Sequence, residues 1–258
     1  MRLLTEEQKH WVEVIGDFCK KEIEPIMLDW DKVVDPSKAI PFEPYAKAFK
    51  LGLNSFEIPK EYGGNKVDLA TAEVMYEEMG YYDGNFASVM QTTNLALKPI
   101  LIGGTPEQVQ YFSKHILEGK GYAAFALTEP QSGSDASNVK TTAVKDGDEW
   151  VINGSKIFTT NSGFADTCVL FALTDRSVPA AKGMTAFIVD LKEMPGISVS
   201  LSGSFSMISS VDVPKCDTTA AAVFRPMPFM ALDERKSLIP SSVEGMTSSN
   251  SFTENCSP

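Results

Sequence analysis

Two stretches of the chain carry side chains whose types and order suit ligand chemistry. The first is Phe125-Ala126-Leu127-Thr128-Glu129-Pro130-Gln131-Ser132-Gly133-Ser134-Asp135. An apolar run ends at a threonine, a proline turn follows, and the chain reaches Gly-Ser-Asp. Small residues at a strand end let backbone approach a ligand, leaving amides and hydroxyls to bond polar edges or phosphate oxygens. A plain loop with a glycine turn and an Asx-type contact from Asp135 satisfies the same residues. The second stretch is Asn153-Gly154-Ser155-Lys156-Ile157-Phe158-Thr159-Thr160-Asn161. With a hairpin turn at Asn153-Gly154 and a strand after it, alternation puts Phe158 and Thr160 on one face. A ring and a hydroxyl facing one way suit a flat heteroaromatic ligand, one stacking and one hydrogen-bonding. Ordinary packing on a β face accounts for them as well.

Other chemistries lack the residues they need. The four cysteines, Cys19, Cys168, Cys216 and Cys256, are far apart without CxxC spacing, and the 258 residues include two histidines. No zinc or other metal site is expected, and the thiols read as buried and free in a reducing compartment. A net charge of −11 without clustered Lys or Arg argues against nucleic acid. No apolar run approaches the roughly 18–20 residues of a membrane span. The opening, MRLLTEEQKHWVEV, has neither an apolar signal core nor an Arg/Ser-rich transit pattern. The expectation is a cytoplasmic protein, or a mitochondrial matrix protein whose targeting segment has been removed.

The elements that must position these residues fall in two classes. Residues 5–24 predict a helix with Thr5 and Gln8 as a capping pair. Pro44 to Leu51 predicts a short helix closed by Gly52, and Asp68 opens a helix from Leu69 to Met79. Further helices are predicted from Ala87 to Leu101 and from Thr105-Pro106 to Gly119. After Gly121 the pattern shortens to strand length: Tyr122 to Leu127, Asn138 to Val144, Glu149 to Ile152, Lys156 to Thr160, Val169 to Leu173 and Thr185 to Val189. Asp146-Gly147 and Asn153-Gly154 read as hairpin turns. The fold class is therefore α+β: an all-α domain over residues 1–120, then an antiparallel β-barrel-like domain over 121–199, possibly to about 230. Residues 200–258 are Ser-rich and aperiodic, with Pro226 and Pro228 breaking either regular element, and are predicted to be poorly structured.

Taken in order, the two stretches resemble the middle-domain signature of the acyl-CoA dehydrogenases. Thr-Glu-Pro is followed by Gly-Ser-Asp, then Asn-Gly-x-Lys, then an aromatic two positions before Thr. Ala165-Asp166, Lys182-Gly183 before Ala186-Phe187-Ile188-Val189, and Pro195-Gly196-Ile197 continue in register. The helical part fits from Leu4-Thr5-Glu6-Glu7-Gln8 through Ile58-Pro59-Lys60-Glu61-Tyr62-Gly63-Gly64, so the likeness covers roughly residues 2 to 199. The resemblance implies FAD, held by Phe125, Ala126, Leu127, Thr128, Gly133, Ser134, Phe158, Thr159 and Thr160. It places Leu127 and Thr128 along the isoalloxazine, Phe158 against the flavin where relatives often have Trp, and Thr160 near N5. Gly133 and Ser134 approach the pyrophosphate, and Ser134 also the acyl-CoA. Gln131-Ser132 departs from the Gly-Ala of many relatives at the loop tip.

The implied reaction is α,β-dehydrogenation of an acyl-CoA thioester, with hydride going to FAD and electrons passing on to an electron-transfer flavoprotein. Full-length relatives are homo-oligomers, usually homotetramers. The resemblance also implies a C-terminal four-helix bundle carrying the catalytic base, and nothing after Ser200 matches it. Val213-Pro214 has the family's dipeptide without its surroundings, and Glu244 and Glu254 read as solvated carboxylates. The catalytic residue is thus left unassigned. A truncated or out-of-frame sequence beyond about Val199 is one reading. A short non-catalytic flavin- or acyl-CoA-binding or interaction module is another, and a flavin oxidase or monooxygenase on the same cradle a third. Weak FAD affinity and poor solubility are expected of the chain alone.

Overall fold

Side-chain caps start the helices. The Thr5 hydroxyl accepts the Gln8 N–H, and the Gln8 side chain accepts the Thr5 N–H, opening α1 (Glu6–Glu22). A short turn of helix, α2 (Met27–Trp30), and α3 (Phe42–Lys50) follow, and Gly52 closes α3 with φ +80°. Asp68 caps α4 (Leu69–Tyr82) and Asp83 caps α5 (Gly84–Gly103). Thr105 and Gln108 form a second reciprocal cap at α6 (Pro106–Glu118). These observations come from a computed structural model that describes residues 4–33, 40–118, 121–147, 149–192, 194, 196–201, 209–213 and 227–228.

Eight strands follow: β1 (Ala123–Ala126), β2 (Thr142–Asp146), β3 (Glu149–Lys156), β4 (Thr167–Leu173), β5 (Met184–Asp190), β6 (Ser198–Leu201), β7 (Ser209–Val213) and β8 (Met227–Pro228). A four-residue helix, α7 (Ala180–Gly183), leads into β5. The sheet order is β6-β7-β3-β2-β4-β5-β8, with β1 beside β4. The α-then-β arrangement is as the sequence predicts, but the sheet is mixed and the described strands do not close into a barrel. β1 runs parallel to β4, Ala123 opposite Thr167 and Ala126 opposite Leu170, and β2 also meets β4 in parallel. The physical reason is the long connection: β2, β3 and the loop after them intervene between β1 and β4, which permits a parallel pair that a hairpin cannot make.

Three local expectations are corrected. Asp146-Gly147 does turn β2 into β3, with Gly147 at φ +60°, but Asn153-Gly154 lies inside β3. Gly154 is needed for closeness: a Cβ there would stand 2.2 Å from Thr141 Oγ1 and 2.7 Å from Thr141 Cα. The strand expected over Lys156 to Thr160 ends at Lys156, because Phe158 (φ +55°) and Asn161 (φ +71°) turn the chain. Past Val199, Ser209–Val213 pairs with β6 and β3, and Met227–Pro228 pairs with β5, so part of the segment predicted to lack structure is strand. Pro228 is tolerated because β8 is an edge strand. The predictions for Gly119, Pro195, Pro214, Cys216, Glu244, Glu254 and Cys256 fall outside the described residues.

Helices and strands share their core. One buried cluster joins Ile15, Met75 and Phe86 of the helices to Ala126, Cys168, Leu170 and Phe187 of the sheet, and a second joins Leu97, Ile100 and Phe112 to Val169 and Phe171. Burial of this kind, about 25 cal/mol per Å2 of apolar surface, is what holds the layers together. Tyr122, the residue before β1, packs edge-on against Phe49 of α3 and Phe164, at 4.9 Å each. Cys19 and Cys168 are buried free thiols; burial, then Glu78 and Asp83, pushes Cys19 up to about 12. Among the described residues no helix is long and apolar enough to cross a membrane, and no His, Cys, Asp and Glu side chains group to hold a metal.

Candidate functional site

β1 delivers its last residues to one edge of the sheet, and the chain then folds tightly. Glu129 and Ser132 exchange backbone hydrogen bonds (Glu129 N–H to Ser132 O 2.9 Å, Ser132 N–H to Glu129 O 3.1 Å). The Ser132 hydroxyl donates to the Asp135 carbonyl at 2.8 Å, and the Asn138 amide to the Gln131 carbonyl at 2.9 Å. Asp135 accepts the Ser137 N–H at 3.0 Å, the Asx contact its sequence allows, so its carboxylate serves the loop. Gly133 and Ser134 stand exposed beyond this turn, and a Cβ on Gly133 would meet nothing within 4 Å.

The two stretches meet here. The Ile157 N–H donates to the Thr128 carbonyl at 2.9 Å, so the residue just before Phe158 is tied to Thr128. One residue earlier, Lys156 donates to the Leu127 carbonyl at 3.1 Å and to Glu129 Oε1 at 2.7 Å. Glu129 also accepts the backbone N–H groups of Lys140 (2.6 Å) and Thr141 (3.0 Å) and the Gln131 amide (2.5 Å). Both charges are fully buried. Burial alone would raise the Glu129 pKa, but the hydrogen bonds from Lys156, Thr141 and Lys140 outweigh it and hold the carboxyl below its usual range. Burial pulls the Lys156 ammonium below its usual range, with Glu129 opposing.

The nine candidate residues separate by exposure. Phe158 is 63% exposed although aromatic and left-handed in φ, and Gly133 and Ser134 are exposed with it. Leu127, Thr128 and Thr160 are half-buried. Ala126 and Thr159 are buried and present no open surface to a ligand. Phe125 is half-buried with its ring 5.1 Å from that of Phe171, facing the second core cluster. Phe158 and Thr160 share a neighbourhood by way of a turn, without the strand alternation expected of them. An exposed aromatic, a half-buried threonine and an open Gly-Ser backbone are the residue types that suit a flat heteroaromatic ring with a polar tail.

Three buried residues beside the candidate site carry no role in the sequence reading. Glu129 and Lys156 stood within the quoted motifs without a role, since nothing in a sequence distinguishes a buried carboxylate from a solvated one. Asn161 was likewise quoted without a role. Its fully buried side chain donates to the Val89 carbonyl of α5 and the Ala123 carbonyl of β1, both at 3.1 Å. A separate cleft of about 430 Å3 opens between α4 and α5, lined by Tyr76, Ala87, Ser88 and Gln91 with Glu73 and Glu77, and contains none of the nine residues.

Family models add the deciding observation: residues 5–120 match the N-terminal domain, and residues 124–207 the middle domain, of the acyl-CoA dehydrogenases. The chain belongs to the acyl-CoA dehydrogenase family. It is 36% identical over 197 residues to a short-chain specific acyl-CoA dehydrogenase of Clostridium acetobutylicum, covering 76% of this chain and 50% of that one. It is 38% identical over 196 residues to the CarC subunit of the caffeyl-CoA reductase-Etf complex of Acetobacterium woodii, with the same coverage. The solved butyryl-CoA dehydrogenase of Megasphaera elsdenii superposes with a TM-score of 0.72 at 30% identity, over 83% of this chain and 57% of that one. The chain thus spans about half the length of the curated relatives it matches.

Proposed function

We propose that residues 125–134 and 158–160 cradle FAD and serve the α,β-dehydrogenation of an acyl-CoA thioester. The observation that carries this reading is the Ile157–Thr128 hydrogen bond, which ties the segment that leads into the exposed Phe158 to a half-buried threonine two residues past β1. Thr128 would hydrogen-bond the ring and Phe158 would pack on it, with Thr160 near the reacting end. Gly133 and Ser134 would meet the pyrophosphate, and Ser134 the acyl-CoA. FAD supplies the acceptor for the β hydrogen; the protein's part is to orient the ring and exclude water.

Removal of the α proton needs a base whose pKa is raised in a dry pocket. Glu129 is unsuited, since Lys156 and two backbone amides keep it ionised, and Asp135 is taken up by Ser137. The base accordingly comes from outside the described cradle. An electron-transfer flavoprotein is the proposed electron acceptor and a homotetramer the proposed assembly, the former supported by the Etf complex to which the Acetobacterium relative belongs. That relative's name also supports the reverse direction, reduction of an enoyl-CoA, on the same cradle.

The test is a titration of the purified chain with FAD followed by visible absorbance, then anaerobic addition of a panel of acyl-CoAs. Bound flavin with a perturbed spectrum is expected, and Phe158→Ala should weaken it by about tenfold while leaving the fold intact, since the ring is solvent-facing. Failure of the unaltered chain to take up any flavin would overturn the reading. Bleaching by one class of acyl-CoA would assign the substrate. Binding without bleaching would place this chain as a flavin-binding module.

A further inference from the structure

Behind Thr128 and Phe158 sit two charges sealed from solvent, Glu129 and Lys156, 2.7 Å apart. A buried ion pair gains little stability over apolar side chains of similar volume, because desolvation offsets the attraction. Stability alone is therefore a weak account of the pair, and its bonds point to another. Glu129 reaches forward in sequence to the amides of Lys140 and Thr141, and Lys156 reaches back to the Leu127 carbonyl. Together with the Ile157–Thr128 bond, they fix the 127–129 segment to the start of β2 on one side and the end of β3 on the other.

The orientation of the peptide matters as much as its position. In a trans peptide the C=O and N–H point to opposite sides. Lys156 draws the Leu127 carbonyl inward, so the Thr128 N–H of the same peptide points away from the ion pair. An ammonium on the carbonyl polarises the unit and strengthens that N–H as a donor. We propose that Glu129 and Lys156 are positioning residues for the flavin, locking Leu127–Thr128 against Ile157–Phe158 and presenting a polarised Thr128 N–H to the ring. This rests on the flavin reading above. A ring that has gained electrons carries more density for a donor to stabilise, so the lock favours the reduced form.

The test compares the unaltered chain with the double variant Glu129→Gln/Lys156→Met, which buries no charge but keeps only one of the two oxygens that accept the Lys140 and Thr141 amides. The variant should stay folded at the assay temperature yet bind FAD more weakly. Its preference for reduced over oxidised flavin should fall by roughly tenfold, which for a two-electron couple is a potential lower by about 30 mV. Lys156→Arg, which retains the charge and the donors, should restore most of both. If the unaltered chain takes up flavin and the double variant matches it in affinity and potential, the positioning role is wrong while the flavin reading stands. If the unaltered chain takes up none, the flavin reading itself has failed. Amide exchange on the unaltered chain decides without any variant: Lys140, Thr141 and Ile157 should be protected, and exchange as fast as at exposed Gly133 would overturn the proposal.

Discussion

Asn161 ties three parts of the molecule from one side chain, since its amide bonds carbonyls of both α5 and β1 while its backbone turns the loop that carries Phe158. Its φ of +71° is one that asparagine accepts more readily than most residues. Asn161→Ala would lose two buried hydrogen bonds and strain the backbone, and is expected to lower stability by about 3 kcal/mol. Urea denaturation measures this, and a change below about 1 kcal/mol would contradict the role. Glu129 sets a response to acid. Its folded pKa is depressed below that of the unfolded chain, so the native state binds fewer protons. The stabilisation is complete above the ordinary carboxylate value of about 4.3 and is lost as pH falls through the lower folded value. Stability of the unaltered chain should therefore drop below about pH 4.3 more steeply than that of Glu129→Gln/Lys156→Met, as followed by urea midpoints from pH 7 to pH 3. Parallel profiles would remove Glu129 from the account.

At the scale of elements, Asp83 shows how little chain can separate two helices. Its N–H donates to the Met79 carbonyl to close α4, and its carboxylate accepts the Phe86 N–H at 2.8 Å to open α5. The sequence predicts one helix from Leu69 to Met79 and the next from Ala87. One extended residue makes the corner instead, at φ −154° and ψ 116°. Asp83→Ala should cost about 1 kcal/mol, seen as a lower thermal midpoint; no shift would mean that packing alone sets the corner. The same difference separates Asp146-Gly147 from Asn153-Gly154. Both dipeptides fit a hairpin turn, but the second is held in β3 by pairing with Thr142 and β7 and by the space that Thr141 leaves only for glycine.

At the scale of the whole molecule, the joined helical and β layers leave apolar side chains facing water. Leu95 and Ile102, two turns apart on one face of α5, are 45% and 73% exposed. Such an exposed apolar face favours association. The chain is expected to self-associate at micromolar concentration, and Leu95→Lys/Ile102→Lys to move it toward monomer at unchanged helix content. Light scattering with circular dichroism checks both, and equal association in the variant would show that other surfaces are responsible.

By itself the sequence determined the order of classes, helices then strands, from the change of apolar period near Gly121, and the starts of α1, α4 and α6 from their caps. It also marked out the two stretches proposed as the cradle, because both are local patterns of small, hydroxyl and aromatic residues. Those signals lie within a few neighbouring positions, where backbone sterics and capping act. The tertiary structure decided what depends on partners distant in the chain: the parallel pairing of β1 with β4, the burial of Glu129 against Lys156, and the reach of Asn161 to α5. It also moved Phe158 from a strand face to a left-handed turn that follows the Ile157–Thr128 bond. A charge or an asparagine has the same local preferences whether buried or solvated, and only the fold brings up the opposite charge or the carbonyl that makes burial tolerable.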